Sequence, residues 1–275
     1  MRKKKMRLYI PLLILVILAL GIYWILERSR EDHIPPQIDI DSDIINISVT
    51  DGNAALLDGV TAQDNRDGDV TGLLLVEKVS DLDENHTATV TYAAFDHSGN
   101  VAKATRTVCY VDYAPPVFSL NKPLVFNIGS TADLVSRVQV TDVLDGNISR
   151  NLKATIVSDS NLSTAGVHEV SFRVTNSMGD TVRITLPVDV LPTGTYTGSI
   201  KLKENLIYLP TGEAFNPNDY FAAMTLGVAE YTLTDGVQLS FTGNVDTTTP
   251  GIYSIAYTAV YNNSKAFTRL IVVVE

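Results

Sequence analysis

A stretch of this sequence recurs about 80 residues downstream of itself, and that periodicity leaves few folds open. Val60 to Leu74 reads VTAQDNRDGDVTGLL, and Val138 to Leu152 reads VQVTDVLDGNISRNL. Aligned without gaps, the two share the opening valine, Asp64 with Asp142, Asp67-Gly68 with Asp145-Gly146, and a β-branched residue at Val70 and Ile148. Upstream, Pro35-Pro36 recurs as Pro115-Pro116. A unit of this length is a small domain with a core of its own.

Each unit then alternates with a period of two, the side-chain period of a strand. Ala88, Val90, Tyr92 and Ala94 interleave with Thr87, Thr89, Thr91 and Ala93, and Val170, Phe172 and Val174 interleave with polar residues. A third unit repeats the theme with Tyr253, Ile255, Tyr257 and Ala259. The turns that follow are Asp96-His97-Ser98-Gly99-Asn100, Asn176-Ser177-Met178-Gly179-Asp180 and Asn262-Asn263-Ser264. Glycine and asparagine are the residues that accept the left-handed backbone of a tight connection. Final strands are expected over 101–111, 181–190 and 266–274. In the first of these Arg106 shares parity with Ala104 and Val108, so a bulge is the expected remedy. No stretch after residue 26 carries a helical period. The fold class is therefore all-β, with antiparallel sandwiches in tandem.

The N-terminus differs from everything after it. Residues 8 to 26, LYIPLLILVILALGIYWIL, are nineteen residues without a charge, about 28 Å of helix at about 1.5 Å per residue. Arg2, Lys3, Lys4, Lys5 and Arg7 precede the run and Glu27 follows it, so the positive-inside rule puts the start of the chain in the cytoplasm and residues 27–275 outside. A cleaved signal peptide, with Ala19-Leu20-Gly21 as its site, is the competing expectation, but the apolar run is longer than such a segment needs. Both export the remainder. The expected organisation is a basic cytoplasmic tail (1–7), a transmembrane anchor (8–26), a solvated linker (27–36) and three domains (37–113, 114–191 and 192–275).

Charge and cysteine content narrow the partners. The formal charge is -10; setting aside the five basic residues ahead of the apolar run leaves 16 Lys+Arg against 31 Asp+Glu, a net -15. Such a surface repels phosphate backbones and argues against a nucleic-acid partner. Cys109 is the only cysteine, which excludes an internal disulfide and any multi-cysteine metal site and marks it as a small buried hydrophobe.

At these residues the chain resembles bacterial immunoglobulin-like repeats, in particular the surface-protein families related to the hyalin repeat. Asp64, Asp67, Gly68, Asp69, Val70 and Thr71, followed by Val90, Tyr92, Ala94, Asp96, Gly99 and Asn100, carry the resemblance in the first unit. The second departs at Asn147, Phe172, Asn176 and Asp180, and the third lacks the Asp-Gly-Asp turn, so the likeness weakens along the chain. It implies a sandwich fold at a cell surface, and with the N-terminal apolar run the expected fold is three tandem immunoglobulin-like β-sandwich domains after one N-terminal transmembrane helix.

Candidate sites are few. Asp64, Asp67 and Asp69 place three carboxylates within six residues, a candidate calcium site although the spacing is not that of an EF-hand. A plain turn with solvated aspartates is the alternative. His33, His86, His97 and His168 have no metal-ligand spacing, and no Gly-x-Ser-x-Gly elbow occurs, so no catalytic residue and no other cofactor is expected. Tyr196, Tyr208, Tyr220 and Tyr231 are the available rings for a sugar platform. Leu191-Pro192-Thr193-Gly194 and Leu209-Pro210-Thr211-Gly212 each lack one residue of a sortase signal. The expected function is surface adhesion, binding or spacing through a surface protein, with wall polysaccharide or peptidoglycan binding as the alternative.

Overall fold

The computed structural model describes residues 2–28, 32–157 and 162–275, which form two compact units, Met1–Val111 and Asp112–Glu275.

In the first unit, helix α1 covers Arg2–Arg28, with Pro11 inside it. Its described side chains, those of residues 11–25, are all exposed, Trp24 at 65%. Among the described residues no helix is long and apolar enough to cross a membrane. The uncharged run of the sequence, 8–26, extends past the described side chains at both ends. Residues 29–31 of the expected linker lie outside the described residues.

Seven strands follow: β1 (Gln37–Ile40), β2 (Ile44–Ile47), β3 (Val60–Asp64), β4 (Gly68–Asp69), β5 (Leu75–Val79), β6 (Thr87–Phe95) and β7 (Val101–Tyr110). They form a three-stranded sheet, β1-β3-β4, and a four-stranded sheet, β2-β7-β6-β5. All pairings are antiparallel except β2 with β7. Alternation decides which side chains face inward. Ala88, Val90, Tyr92 and Ala94 on β6 are buried, as are Val60 and Ala62 on β3 and Val108 on β7. The Tyr92 hydroxyl, deep in this core, donates to the Leu56 carbonyl at 2.6 Å, so its polar end is satisfied.

Arg106 corrects an expectation. The β6–β7 register runs without interruption from Thr87↔Cys109 to Phe95↔Val101, so no bulge turns the arginine outward. It lies inside, 5% exposed, and donates to the Asp58 carbonyl at 2.6 Å and to Asp41 Oδ1 at 3.1 Å. The shift in register lies instead between Val76 and Lys78 on β5. Cys109, on the opposite face from Val108, is only half-buried.

The second unit contains the same plan twice. Strands β8 (Val117–Leu120), β9 (Val125–Asn127), β10 (Val138–Asp142), β11 (Gly146–Asn147), β12 (Lys153–Ile156), β13 (Gly166–Thr175) and β14 (Thr181–Leu191) build sheets β11-β10-β8 and β12-β13-β14-β9. Strands β15 (Ser199–Leu202), β16 (Leu206–Leu209), β17 (Phe221–Leu226), β18 (Ala229–Tyr231), β19 (Gln238–Thr242), β20 (Gly251–Tyr261) and β21 (Ser264–Val274) build β15-β17-β18 and β16-β21-β20-β19. In each, the second strand pairs parallel with the last. Both near-sortase tetrapeptides are strand exits, with Gly194 and Gly212 at positive φ after β14 and β16.

These two sandwiches share a junction. Leu206 and Ile271, on one face of the C-terminal four-stranded sheet, belong to the apolar core that contains Phe118, Leu120 and Leu186. Ile207, Leu270 and Val272, on the other face, fill the C-terminal core. The Tyr208 hydroxyl donates to the Phe118 carbonyl at 3.1 Å, and Arg269 grips Asp189 through Nε at 2.6 Å and a second nitrogen at 2.8 Å.

Candidate functional site

Three loops of the first domain bring buried carboxylates together. Asp64 ends β3, Asp96 follows β6, and Asp32 lies on the chain entering β1. One oxygen from each lies within 4.8 Å of the other two, and all three residues are buried. The linker is therefore not a solvated spacer at this end: Asp32 is 7% exposed.

Local backbone chemistry fixes each carboxylate. Asp64 Oδ1 accepts the N–H groups of Arg66 at 2.8 Å and Asp67 at 2.9 Å, the Asx arrangement that opens the β3–β4 turn. Asp96 accepts the Asn100 N–H on Oδ1 and the Asn100 side-chain amide on Oδ2, both at 2.7 Å. That amide also donates to the Asp32 carbonyl at 3.1 Å, and Asp32 Oδ1 accepts the Ile34 N–H at 3.0 Å. The second oxygens of Asp32 and Asp64 are buried and accept no hydrogen bond from the described residues. Among the described residues, Arg66 places Nε 3.7 Å from Asp32 Oδ2 on a side chain 44% exposed.

The electrostatics favour the ionised forms of Asp64 and Asp96. The N–H groups of Asp67 and Arg66 hold the Asp64 carboxyl below its usual range, against burial and the charge of Asp96. At Asp96 burial pushes upward, but the Asn100 amide and the backbone N–H groups of the turn outweigh it. Like charges held close in a buried place normally have a compensating cation.

Of the sequence-derived calcium residues, only Asp64 belongs to this cluster. Asp67 Oδ2 accepts the His97 N–H at 2.7 Å, which ties the β3–β4 turn to the β6–β7 turn. Asp69 accepts the Thr71 N–H at 2.9 Å and is exposed. Asp32 and Asp96 were missed because each stands thirty-two residues from Asp64.

The second domain has the same frame with different chemistry. Asp142 Oδ1 accepts from Leu144 and Asp145, and Asp145 Oδ2 accepts the Ser177 N–H, as Asp64 and Asp67 do. Asn176 replaces Asp96, and its amide donates to Asp142 Oδ2 at 3.1 Å and to the Tyr113 hydroxyl at 3.0 Å. The Tyr113 hydroxyl donates to Asp180 at 2.5 Å, and burial together with that carboxylate pushes its pKa well upward, so it remains a neutral donor. Every charge in the second frame thus has a protein donor.

Elsewhere the other singled-out residues serve packing. Tyr231 stacks on Tyr261 with centroids 4.3 Å apart, Tyr220 on Phe215 at 5.7 Å, and Tyr196 leans on Phe267 at 5.5 Å. With Tyr208 in the junction, all four rings are half-buried, so they do not make an open platform. His168 is buried with Nε2 2.9 Å from the Thr164 carbonyl, and His97 sits against Asp67.

Three seven-strand sandwiches of one topology define a tandem immunoglobulin-like β-sandwich protein. The family model described as bacterial surface protein, Ig-like domain, matches residues 200–273. That is the domain the sequence resemblance covered least, and it lacks the Asp-Gly-Asp turn. An uncharacterized 81.3 kDa protein of Acholeplasma phage L2 is 26% identical over 242 residues, which is 82% of this chain and 30% of that protein. The chain thus spans less than a third of that relative's length. Among solved structures, Drosophila N-cadherin EC1-3 aligns at 13% identity over 85% of this chain and 98% of its own, with a TM-score of 0.31. The structure of CBM51-2 in complex with GlcNAc and INT domains from Clostridium perfringens ZmpB aligns at 18% identity over 54% of this chain and 26% of its own, with a TM-score of 0.23.

Proposed function

We propose that the chain is a membrane-tethered, extracytoplasmic module of tandem sandwiches that works by binding or spacing and carries out no reaction. The observation that carries this reading is the repetition of one seven-strand plan three times, ending in a domain matched by a bacterial surface family. Proteins built this way act through loops and sheet edges, with function residing in sites placed on the fold. The helix supports the tether. Its described apolar side chains are exposed, whereas a helix on a soluble domain buries an apolar stripe. With residues 8–10 and 26 the uncharged run reaches nineteen residues, about the length of one bilayer crossing. The C-terminal domain is the part of the chain farthest in sequence from that tether and is the proposed contact surface for a protein of the cell surface.

The test is made in intact cells producing the chain with an epitope after residue 275. External protease is expected to remove the epitope while the chain sediments with membranes, and deletion of residues 8–26 is expected to free it from them. A chain that stays with the cytosol, or an epitope that survives protease until the cells are lysed, overturns the reading. Crosslinking in the same cells distinguishes a protein partner from wall polysaccharide.

A further inference from the structure

We propose that Asp32, Asp64 and Asp96 bind one calcium ion where the chain enters the first domain, and that the ion clamps the segment between α1 and β1. Three independent observations point to a cation. The first is the pair of orphaned oxygens. Asp32 Oδ2 and Asp64 Oδ2 sit on residues 7% and 8% exposed, and the described residues offer neither a hydrogen bond. Leaving a carboxylate oxygen dry and unpaired is costly, whereas an ion supplies the missing partner.

The second is geometry. Each carboxylate is held by backbone or amide donors, so the cluster is assembled before any ion arrives. Oxygens within 4.8 Å of one another lie close enough to share one ion, and three carboxylates with room for water suit calcium, which accepts about six to eight oxygen ligands in flexible geometry, better than the near-ideal octahedron magnesium demands. The donor set is all oxygen, without histidine or cysteine, which selects a hard cation. Water fills the remaining positions. Arg66 Nε lies 3.7 Å from Asp32 Oδ2 on a side chain 44% exposed, so much of its charge is already solvated.

The third observation is the second domain, an internal comparison on the same frame. There the position of Asp96 is Asn176, and its amide donates to Asp142 Oδ2, the counterpart of the orphaned Asp64 oxygen. Asp112, three residues before its proline pair as Asp32 is, stays exposed, and Tyr113 brings in a hydroxyl instead. One frame is closed by neutral donors and the other is left with three carboxylates.

The clamp has a mechanical consequence. Asp32 lies four residues beyond the end of α1, so an ion that holds its carboxylate against Asp64 and Asp96 fixes the chain to the first domain within four residues of the helix end.

The full chain in detergent, stripped with a chelator, is titrated with calcium chloride by calorimetry up to ~1–5 mM, the upper range for extracellular calcium modules. Saturable binding of one ion per chain is expected, with the melting transition of the first domain raised by about 4–8 °C. Asp32→Asn and Asp96→Asn are each expected to weaken binding at least about tenfold, the loss of one ligand charge being worth that order. Asp96→Asn installs the residue that the second domain carries at this place. Asp67→Asn and Asp69→Asn are expected to keep the ion. No saturable binding by the unaltered chain, equal binding by Asp32→Asn and Asp96→Asn, or tighter binding of magnesium than of calcium overturns the proposal. Should Asp96→Asn fail to fold, Asp32→Asn, which precedes the first strand, decides the matter alone.

Discussion

Single residues in this protein do two kinds of work, and the aspartates show the commoner one. Asp64, Asp69, Asp83, Asp96, Asp235 and Asp246 all cap turns, and hydrogen bonds from nearby N–H and hydroxyl groups hold each below the usual value of 3.8. A carboxyl whose pKa is lower folded than unfolded adds stability above its unfolded pKa and loses it as pH falls through the folded one. The melting midpoint is therefore expected to hold steady from about pH 8 to 5 and to fall below about pH 4, read by circular dichroism. A midpoint that rises on acidification contradicts this assignment. Arg106 shows the rarer kind, a buried cation whose main hydrogen bond goes to a carbonyl. Arg106→Met keeps the apolar stem but strands the Asp58 carbonyl, so a loss of about 1–3 kcal/mol in urea unfolding is expected. Asp41, its other partner, is 64% exposed and rehydrates freely, which keeps the loss at that modest level. A neutral or stabilising result would show that the arginine is merely tolerated.

At the scale of strands and turns, much was legible because alternation and turn chemistry are local. Val170, Phe172 and Val174 are buried as their spacing requires, and so are Ile255, Tyr257 and Ala259. The third hairpin was readable from its asparagines: Asn262 and Asn263 have φ of 47° and 63°, between paired Tyr261 and Ser264. Asn263→Val is expected to cost about 1–2 kcal/mol by forcing a β-branched residue into the left-handed region. An unchanged urea midpoint would mean that the turn rearranges at no cost. Two things were not legible. The face of β7 was ambiguous because an arginine on an apolar parity suggests a bulge, and partners distant in sequence, the carbonyl of Asp58 forty-eight residues away and Asp41, make the inward position tolerable. The acidic cluster was misjudged for a related reason. Of the neighbouring aspartates, Asp69 aims at the Thr71 N–H of its own turn and Asp67 at the His97 N–H, while the cluster partners of Asp64 arrive from other loops. The available signal was the pairing of Asp64 with Asp96 in one repeat against Asp142 with Asn176 in the next.

At the scale of the molecule, an 80-residue period suggests units of equal independence, yet the second boundary is not an energetic one. The C-terminal four-stranded sheet is apolar on both faces near its junction edge, and Ile271, 1% exposed, fills with Leu206 a core whose other buried members belong to the preceding domain. Covering it there are the Tyr208 hydroxyl at Phe118 and the two-pronged contact of Arg269 with Asp189. Asp189 is 4% exposed, so removal of its partner leaves a buried charge uncompensated. Arg269→Ala is accordingly expected to destabilise Asp112–Glu275 by about 3–5 kcal/mol, while the pair Asp189→Ala with Arg269→Ala recovers part of that loss, because neither charge is then stranded. Calorimetry should record one transition for this unit in the unaltered chain and two after Arg269→Ala, as the C-terminal sandwich loses its hold on the Phe118 core. Two separate transitions before any substitution would reduce the shared core to simple contact, and a double variant no better than the single would assign the loss to packing instead of charge.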